Sequence, residues 1–152
     1  MKTRPPNGGL FLFLSLKSAI LFCMSEKKSL KVFIVDDSDF ARSLMSKMVI
    51  QAGHIIVGEA SGAEAALLSI KDTDPNVVIT DIVMPEISGI ELTEKITQSY
   101  NGIYVIVVSS LSQEHIVLEA IGAGASDFIP KPIEKQQLID SLDKIQQQIM
   151  KG

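Results

Sequence analysis

The chain has 152 residues, of which 46% are hydrophobic and 21% charged, the proportions of an ordinary globular domain. They exclude a disordered, collagen-like or coiled-coil chain, and a single cysteine, Cys23, excludes an internal disulfide or a cysteine-based zinc site. The net charge of −4 lacks the basic footprint of a nucleic-acid-binding protein.

The charge is unevenly divided. Residues 1–24 hold Lys2, Arg4 and Lys17 and no acid, which leaves eleven basic residues against eighteen acidic ones, a net −7, over residues 25–152. Residues 1–9 are basic and rich in Pro and Gly, and residues 10–24 are apolar apart from Ser15, Lys17 and Ser18. This has the charged and apolar regions of a secretory signal, but Lys17 interrupts the run and no Ala-x-Ala-like cleavage site follows. Bulky Phe22 before Cys23 argues against lipoprotein processing. The run is also shorter than the roughly 20 residues of a membrane-spanning helix. Met24 opens a polar lead-in, Met24-Ser-Glu-Lys-Lys-Ser. The expectation is an extension outside the fold at residues 1–24 and a folded domain at residues 30–150. The extension reads as sequence upstream of a true start at Met24, as a weak hydrophobic anchor, or as a cleaved signal.

Residues 32–35 are a β-branched apolar run, the pattern of a buried strand. Residues 40–52 carry apolar side chains at Phe40, Ala41, Leu44, Met45, Met48 and Val49, a helical spacing. Ser38 or Asp39 can cap that helix and Gly53 can end it. Residues 55–58 predict a second strand, and Ser61 with Glu64 a capping box opening a helix to about residue 70. Asp74-Pro75-Asn76 is a turn. Residues 77–80 predict the third strand, ending in Asp81, and Ser88 with Glu91 a second capping box before a helix to about residue 98. Residues 104–108 predict the fourth strand, leading into Ser109. Ser112 is the expected cap of a helix to residue 121, stopped by Gly122 and Gly124. Residues 127–129 predict a short fifth strand before Pro130-Lys131-Pro132, and Leu138, Leu142, Ile145 and Ile149 mark the last helix. This alternation predicts an α/β fold with a parallel sheet covered on both faces.

Sites in such sheets form beyond the carboxyl ends of the strands, where strand order reverses. Asp36 and Asp37 follow the first predicted strand, Asp81 the third, Ser109 the fourth and Lys131 the fifth. Three crowded carboxylates repel one another, and a hard divalent cation such as Mg²⁺ relieves this. A carboxylate beside such a cation can act as a nucleophile and form an aspartyl-phosphate. A lysine supplies a point charge for phosphoryl oxygens, and a serine hydroxyl can donate to another. Taken singly, each residue has a plainer explanation: a helix cap for Asp36 or Asp37, a turn residue for Asp81, a solvated loop lysine for Lys131. Their joint placement at one sheet edge argues for phosphoryl chemistry.

Four segments carry a resemblance: Val35-Asp36-Asp37-Ser38; Asp81-Ile-Val-Met84-Pro85 with Gly89 eight residues past the aspartate; Val108-Ser109-Ser110; and Phe128-Ile-Pro-Lys131-Pro132. In this order and spacing, over Lys31 to about Met150, the sequence resembles a response-regulator receiver domain of the stand-alone type. The resemblance implies a flavodoxin-like doubly wound (βα)5 fold with strand order 2-1-3-4-5, the order flavodoxin also has. It implies Asp81 as phosphoacceptor and Mg²⁺ held by Asp37 directly, by Asp36 mainly through water, by Asp81 and by the Val83 carbonyl. It implies Lys131 on the phosphoryl group, held by a cis Lys131–Pro132 bond, and Ser109 with Phe128 as a switch pair. On phosphorylation Ser109 would move toward the phosphoryl group and Phe128 into the vacated space, changing the face formed by the fourth helix, fifth strand and fifth helix. Val83 and Leu111 are apolar where the family's attacking water passes, which predicts slow hydrolysis.

The expected function is therefore a single-domain, cytoplasmic response regulator of a two-component system. It would take its phosphoryl group from a histidine kinase or phosphotransfer protein and pass the signal to a protein partner, with no nucleic-acid or membrane partner and no small substrate other than phosphodonors. It would not be an enzyme beyond its own phosphotransfer and dephosphorylation. Only Lys151 and Gly152 follow Met150, so output is expected in trans. Chemotaxis fits, as does a phosphorelay shuttle or adaptor role. A haloacid-dehalogenase-like phosphatase would need Thr or Val after Asp37-Ser-Asp39, where Phe40-Ala41 stand. A flavodoxin-like FMN protein would need a phosphate-cradling first loop in place of acids. His54 and His115 are expected at the surface.

Overall fold

The computed structural model describes residues 28–152, so the expectations for residues 1–24 lie outside the described residues. The elements run β1 (Lys31–Val35), α1 (Asp39–Gln51), β2 (Ile55–Ala60), α2 (Ala63–Thr73), β3 (Val77–Asp81), α3 (Gly89–Ser99), β4 (Tyr104–Ser109), α4 (Glu114–Gly122), β5 (Asp127–Pro130) and α5 (Lys135–Lys151). All strand pairs are parallel and the order is β2-β1-β3-β4-β5. The expected fold class, flavodoxin-like and doubly wound, is therefore the observed one. Strand order reverses between β1 and β3, which puts a crevice beyond their carboxyl ends.

The period of two along each strand divides the core. Val32, Ile34, Val77, Ile79, Ile106, Val108 and Ile129 face one side, where α1 and α5 cover them with Met45, Val49, Leu138, Leu142 and Ile145. Phe33, Val35, Val78, Val105 and Val107 face the other, under α2, α3 and α4, which contribute Ala66, Ile70, Leu92, Ile96 and Ala120. Burying each such Val, Leu or Ile contributes about 1.5–3 kcal/mol, so this two-sided sheet is what fixes the strand ends in space.

Several local expectations are corrected. Of the two expected candidates Ser38 is the one that caps α1, its Oγ accepting from Ala41 N at 3.2 Å. Phe40 and Leu44 lie on the predicted apolar stripe but are exposed, lining a shallow cleft with Lys131, Pro132 and Ile133; the buried positions of α1 are Met45 and Val49. Ser61 does not cap α2: β2 runs on to Ala60 and Gly62 is the N-cap, without a side-chain bond. Ser112 does not cap α4, which begins one residue later behind Gln113, and Gly122 is its last residue rather than its stop. The Ser88 cap holds, with Ser88 Oγ accepting from Glu91 N at 3.2 Å. Ile149 is largely outside the core. His54 is buried, not at the surface, and its Nδ1 accepts from Leu30 N at 3.2 Å. There the ring satisfies a backbone donor at the start of β1. His115 is exposed as expected. Among the described residues no helix is long and apolar enough to cross a membrane.

Candidate functional site

Strands β1 and β3 are central, and each ends in a carboxylate. Asp36 directly follows β1 and is fully buried. Its Oδ1 accepts from Ser38 N at 2.9 Å, and its Oδ2 from Lys131 Nζ at 2.9 Å. Asp81 closes β3 and is nearly buried; its Oδ1 accepts from Ile82 N at 2.8 Å and its Oδ2 lies 3.2 Å from Lys131 Nζ. Asp37 is exposed at the rim. One oxygen from each of Asp36, Asp37 and Asp81 can be chosen so that all lie within 4.8 Å of one another.

Ser109 ends β4, buried, in register with Pro130 of β5 and one residue beyond the Asp81–Val108 pair. Its Oγ accepts from Leu111 N at 3.1 Å, and its carbonyl accepts from Lys131 N at 2.9 Å. The peptide from Lys131 to Pro132 is cis. Phe128 is half-buried in β5 and packs against the core on the α2–α3–α4 side. Val83 is exposed two residues past Asp81, and Leu111 is half-buried. The fold thus brings together Asp36, Asp37, Asp81 and Lys131, and sets Ser109 on the same edge.

The charges are strained against one another. Burial is the main reason the Asp81 carboxyl is held above its ordinary range; the Asp36 charge adds to this, against the opposing pull of Lys131 and the Ile82 N–H. Burial disfavours the Lys131 ammonium too, but its hydrogen bond to Asp36 and the charges of Asp81 and Asp36 outweigh that and raise it. The lysine is a fixed cation between two acids, and a net negative charge remains in the cup.

Gly89 explains its place in the motif. A Cβ there would stand 1.8 Å from the Asp81 carbonyl oxygen and 2.7 Å from the carbonyl carbon. The loop from Asp81 folds back so tightly that Gly89 N reaches Ile82 O at 2.9 Å. The start of α3 therefore presses on the backbone of the residue that carries the central carboxylate.

Sequence reasoning missed a set of polar residues beside the cup. Arg42 on α1 has a side chain only 15% exposed. Its Nη1 donates to the Asp36 carbonyl at 2.5 Å, its Nη2 pairs with Asp39, and its Nε lies 3.8 Å from Glu59 Oε2. Ser46 donates to the other oxygen of Glu59. Glu59 sits at the end of β2, the one strand end from which no site residue was taken, so the strand-end rule itself could have found it.

Three hard oxygen donors at this spacing are the donor set Mg²⁺ takes, one to three carboxylates with water completing the shell, and the residues therefore fit such an ion. Comparison with known proteins agrees with the geometry. The family described as "Response regulator receiver domain" matches residues 32–143. Chemotaxis protein CheY of Thermotoga maritima is 36% identical over 115 residues, which cover 76% of this chain and 96% of that protein. Chemotaxis protein CheY of Bacillus subtilis is 33% identical over 114 residues, 75% and 95% respectively. Among solved structures, the CheX–CheY–BeF3–Mg complex from Borrelia burgdorferi superposes with a TM-score of 0.73 at 28% identity, covering 76% of this chain and 88% of that one. Matched in sequence over most of its length and in the course of all five strands, the chain belongs to the response regulator receiver domain family.

Proposed function

We propose that the protein is a cytoplasmic phosphorylation switch of a two-component system, with Asp81 as phosphoacceptor and Mg²⁺ as its ion. The observation that carries this reading is the Lys131 ammonium, held between Asp36 and Asp81 inside a group of three carboxylates. Bound Mg²⁺ would be held by Asp36, Asp37 and Asp81, with the Val83 carbonyl, and would neutralise charge on the carboxylates and the transferring oxygens.

An Asp81 oxygen attacks the phosphorus of a phosphohistidine donor; the P–N bond breaks, and the imidazole leaves and takes up a proton. Lys131, already 3.2 Å from Asp81 Oδ2, turns to a phosphoryl oxygen. Ser109 accepts a hydrogen bond through Oγ, so its hydroxyl proton is free to be donated to another oxygen. That move draws Ser109 from its present place and opens room for the half-buried ring of Phe128. The result is a shift between two packings of the α4–β5–α5 face, biased by how much better one of them binds the phosphoryl group. A protein reads that face; the Borrelia burgdorferi relative in complex with CheX supports a protein target, and the chemotaxis relatives support that pathway. No enzymatic turnover beyond the protein's own phosphotransfer and dephosphorylation belongs to this reading.

The test is incubation with acetyl phosphate and Mg²⁺ followed by intact mass. The wild type is expected to gain one phosphoryl group and Asp81→Asn none; equal labelling of both, or of neither, overturns the reading.

A further inference from the structure

We propose that Arg42 is a positioning residue for the acidic cup: its guanidinium, held by Asp39 and Glu59, clamps the Asp36 carbonyl and so fixes the peptide that carries Asp37. The inference rests on the reading of the cup as a divalent-cation site.

Asp36 and Asp37 lie on a loop between β1 and α1, and their two carboxylates must converge with Asp81 although one is fully buried and the other exposed. Asp36 is fixed from several sides. Its N–H donates to Ala60 O at 3.1 Å, its side chain takes Ser38 N and Lys131 Nζ, and its carbonyl takes Arg42 Nη1 at 2.5 Å. The carbonyl contact is the one that sets the plane of the Asp36–Asp37 peptide, and with it the direction in which Asp37 leaves the loop. Arg42 can do this because its planar fork serves several acceptors at once. Asp39 takes Nη2 from the same helix and Glu59 faces Nε from β2, while Ser46 holds the far oxygen of Glu59. A lysine, a point charge on a flexible stem, cannot hold all three acceptors in one geometry.

Charge and position make opposite demands. Removing a positive charge beside three carboxylates should tighten cation binding, if charge were all that Arg42 supplied. Releasing a group that orients a metal ligand weakens binding, typically 10–100-fold. Mg²⁺ titration by calorimetry on the full chain, with thermal midpoints recorded, compares wild type, Arg42→Met and Arg42→Lys. Both variants are expected to bind Mg²⁺ at least about 10-fold more weakly while folded. Unchanged or tighter binding by Arg42→Met, or wild-type affinity in Arg42→Lys, overturns the proposal; should Arg42→Met not fold, Arg42→Lys decides. Metal-free amide exchange at Ser38, whose N–H is bonded to Asp36 Oδ1, reads the clamp without a cation. It should speed up in both variants, and unchanged exchange overturns the clamp. A wild type that takes up no Mg²⁺ would sink the cation reading, leaving the clamp to stand or fall on Ser38 alone.

Discussion

Replacing Asp81 with Asn should make the metal-free protein more stable, not less. At an effective dielectric of about 20, two carboxylate charges at the 4.8 Å limit of their separation repel by about 3.5 kcal/mol, and the Lys131–Asp81 contact at 3.2 Å attracts by about 5 kcal/mol. Lys131 therefore outweighs Asp36 in charge alone, and it is the burial of Asp81 that tips the balance against its ionised form. Asp37 is exposed, so solvent weakens its share. The balance for Asp81→Asn is a gain on the order of 1 kcal/mol at pH 7, or a midpoint roughly 4 °C higher for a domain of this size. The pH dependence has a definite sign. A carboxyl raised above its ordinary range by burial, as Asp81 is, favours folding in its protonated form. That contribution is complete below the unfolded-state carboxylate range and is lost as pH rises through the folded value. The variant's advantage should therefore be greatest at neutral pH and shrink as pH falls toward 4. Added Mg²⁺ should raise the wild type by mass action and narrow the gap. Thermal unfolding in EDTA across this pH range, then with Mg²⁺, is the assay. A variant less stable than wild type in EDTA at pH 7, or an advantage undiminished in acid, would refute the electrostatic reasoning.

Lys131→Met removes the ammonium paired with Asp36 and Asp81, leaves a buried carboxylate uncompensated and should destabilise by roughly 3–5 kcal/mol in urea unfolding. Gly89→Ala would push the Asp81 backbone; it should cost at least about 2 kcal/mol and, in protein that still folds, weaken Mg²⁺ uptake in calorimetry. Ser141, buried on α5, is the buried side chain whose oxygen finds no hydrogen-bond partner among the described residues. Ser141→Ala should therefore raise the thermal midpoint, by about 1 kcal/mol of stability. Val83→Asn replaces an exposed apolar side chain two residues past Asp81 with a polar one that can hold water, and should shorten the phosphorylated lifetime followed by intact mass; an unchanged lifetime removes Val83 from the control of hydrolysis.

The fold was legible because its signal is redundant. Strands that are apolar on both faces, such as 32–35 and 105–108, alternate with helices, and that pattern admits few architectures. The acidic cup was legible for a related reason: a strand end places a side chain with little freedom, so the strand pattern alone puts Asp36, Asp81 and Ser109 on one edge. What sequence did not show depends on tertiary contact. Phe40 has the helical phase of the core of α1 but is exposed in its first turn, and periodicity does not show where along a helix the core ends. Ser61 has the spacing of a cap, but the β2 pairing runs to Ala60 opposite Val35 and moves the helix start past it. His54 follows the first helix in a loop, a place that predicts exposure, whereas its ring is buried where Nδ1 accepts from Leu30 N. Arg42 and Glu59 come from α1 and β2, and only their meeting in space gives either a role.

The central claim is that Asp81 itself receives the phosphoryl group. Borohydride reduction of the acyl phosphate, followed by peptide mapping, reads this directly, since a phosphorylated aspartate is converted to homoserine. After treatment with acetyl phosphate and Mg²⁺, homoserine is expected at position 81 alone, and not when Mg²⁺ is withheld. Homoserine at Asp36 or Asp37 instead, or none at any of the three, would contradict the account.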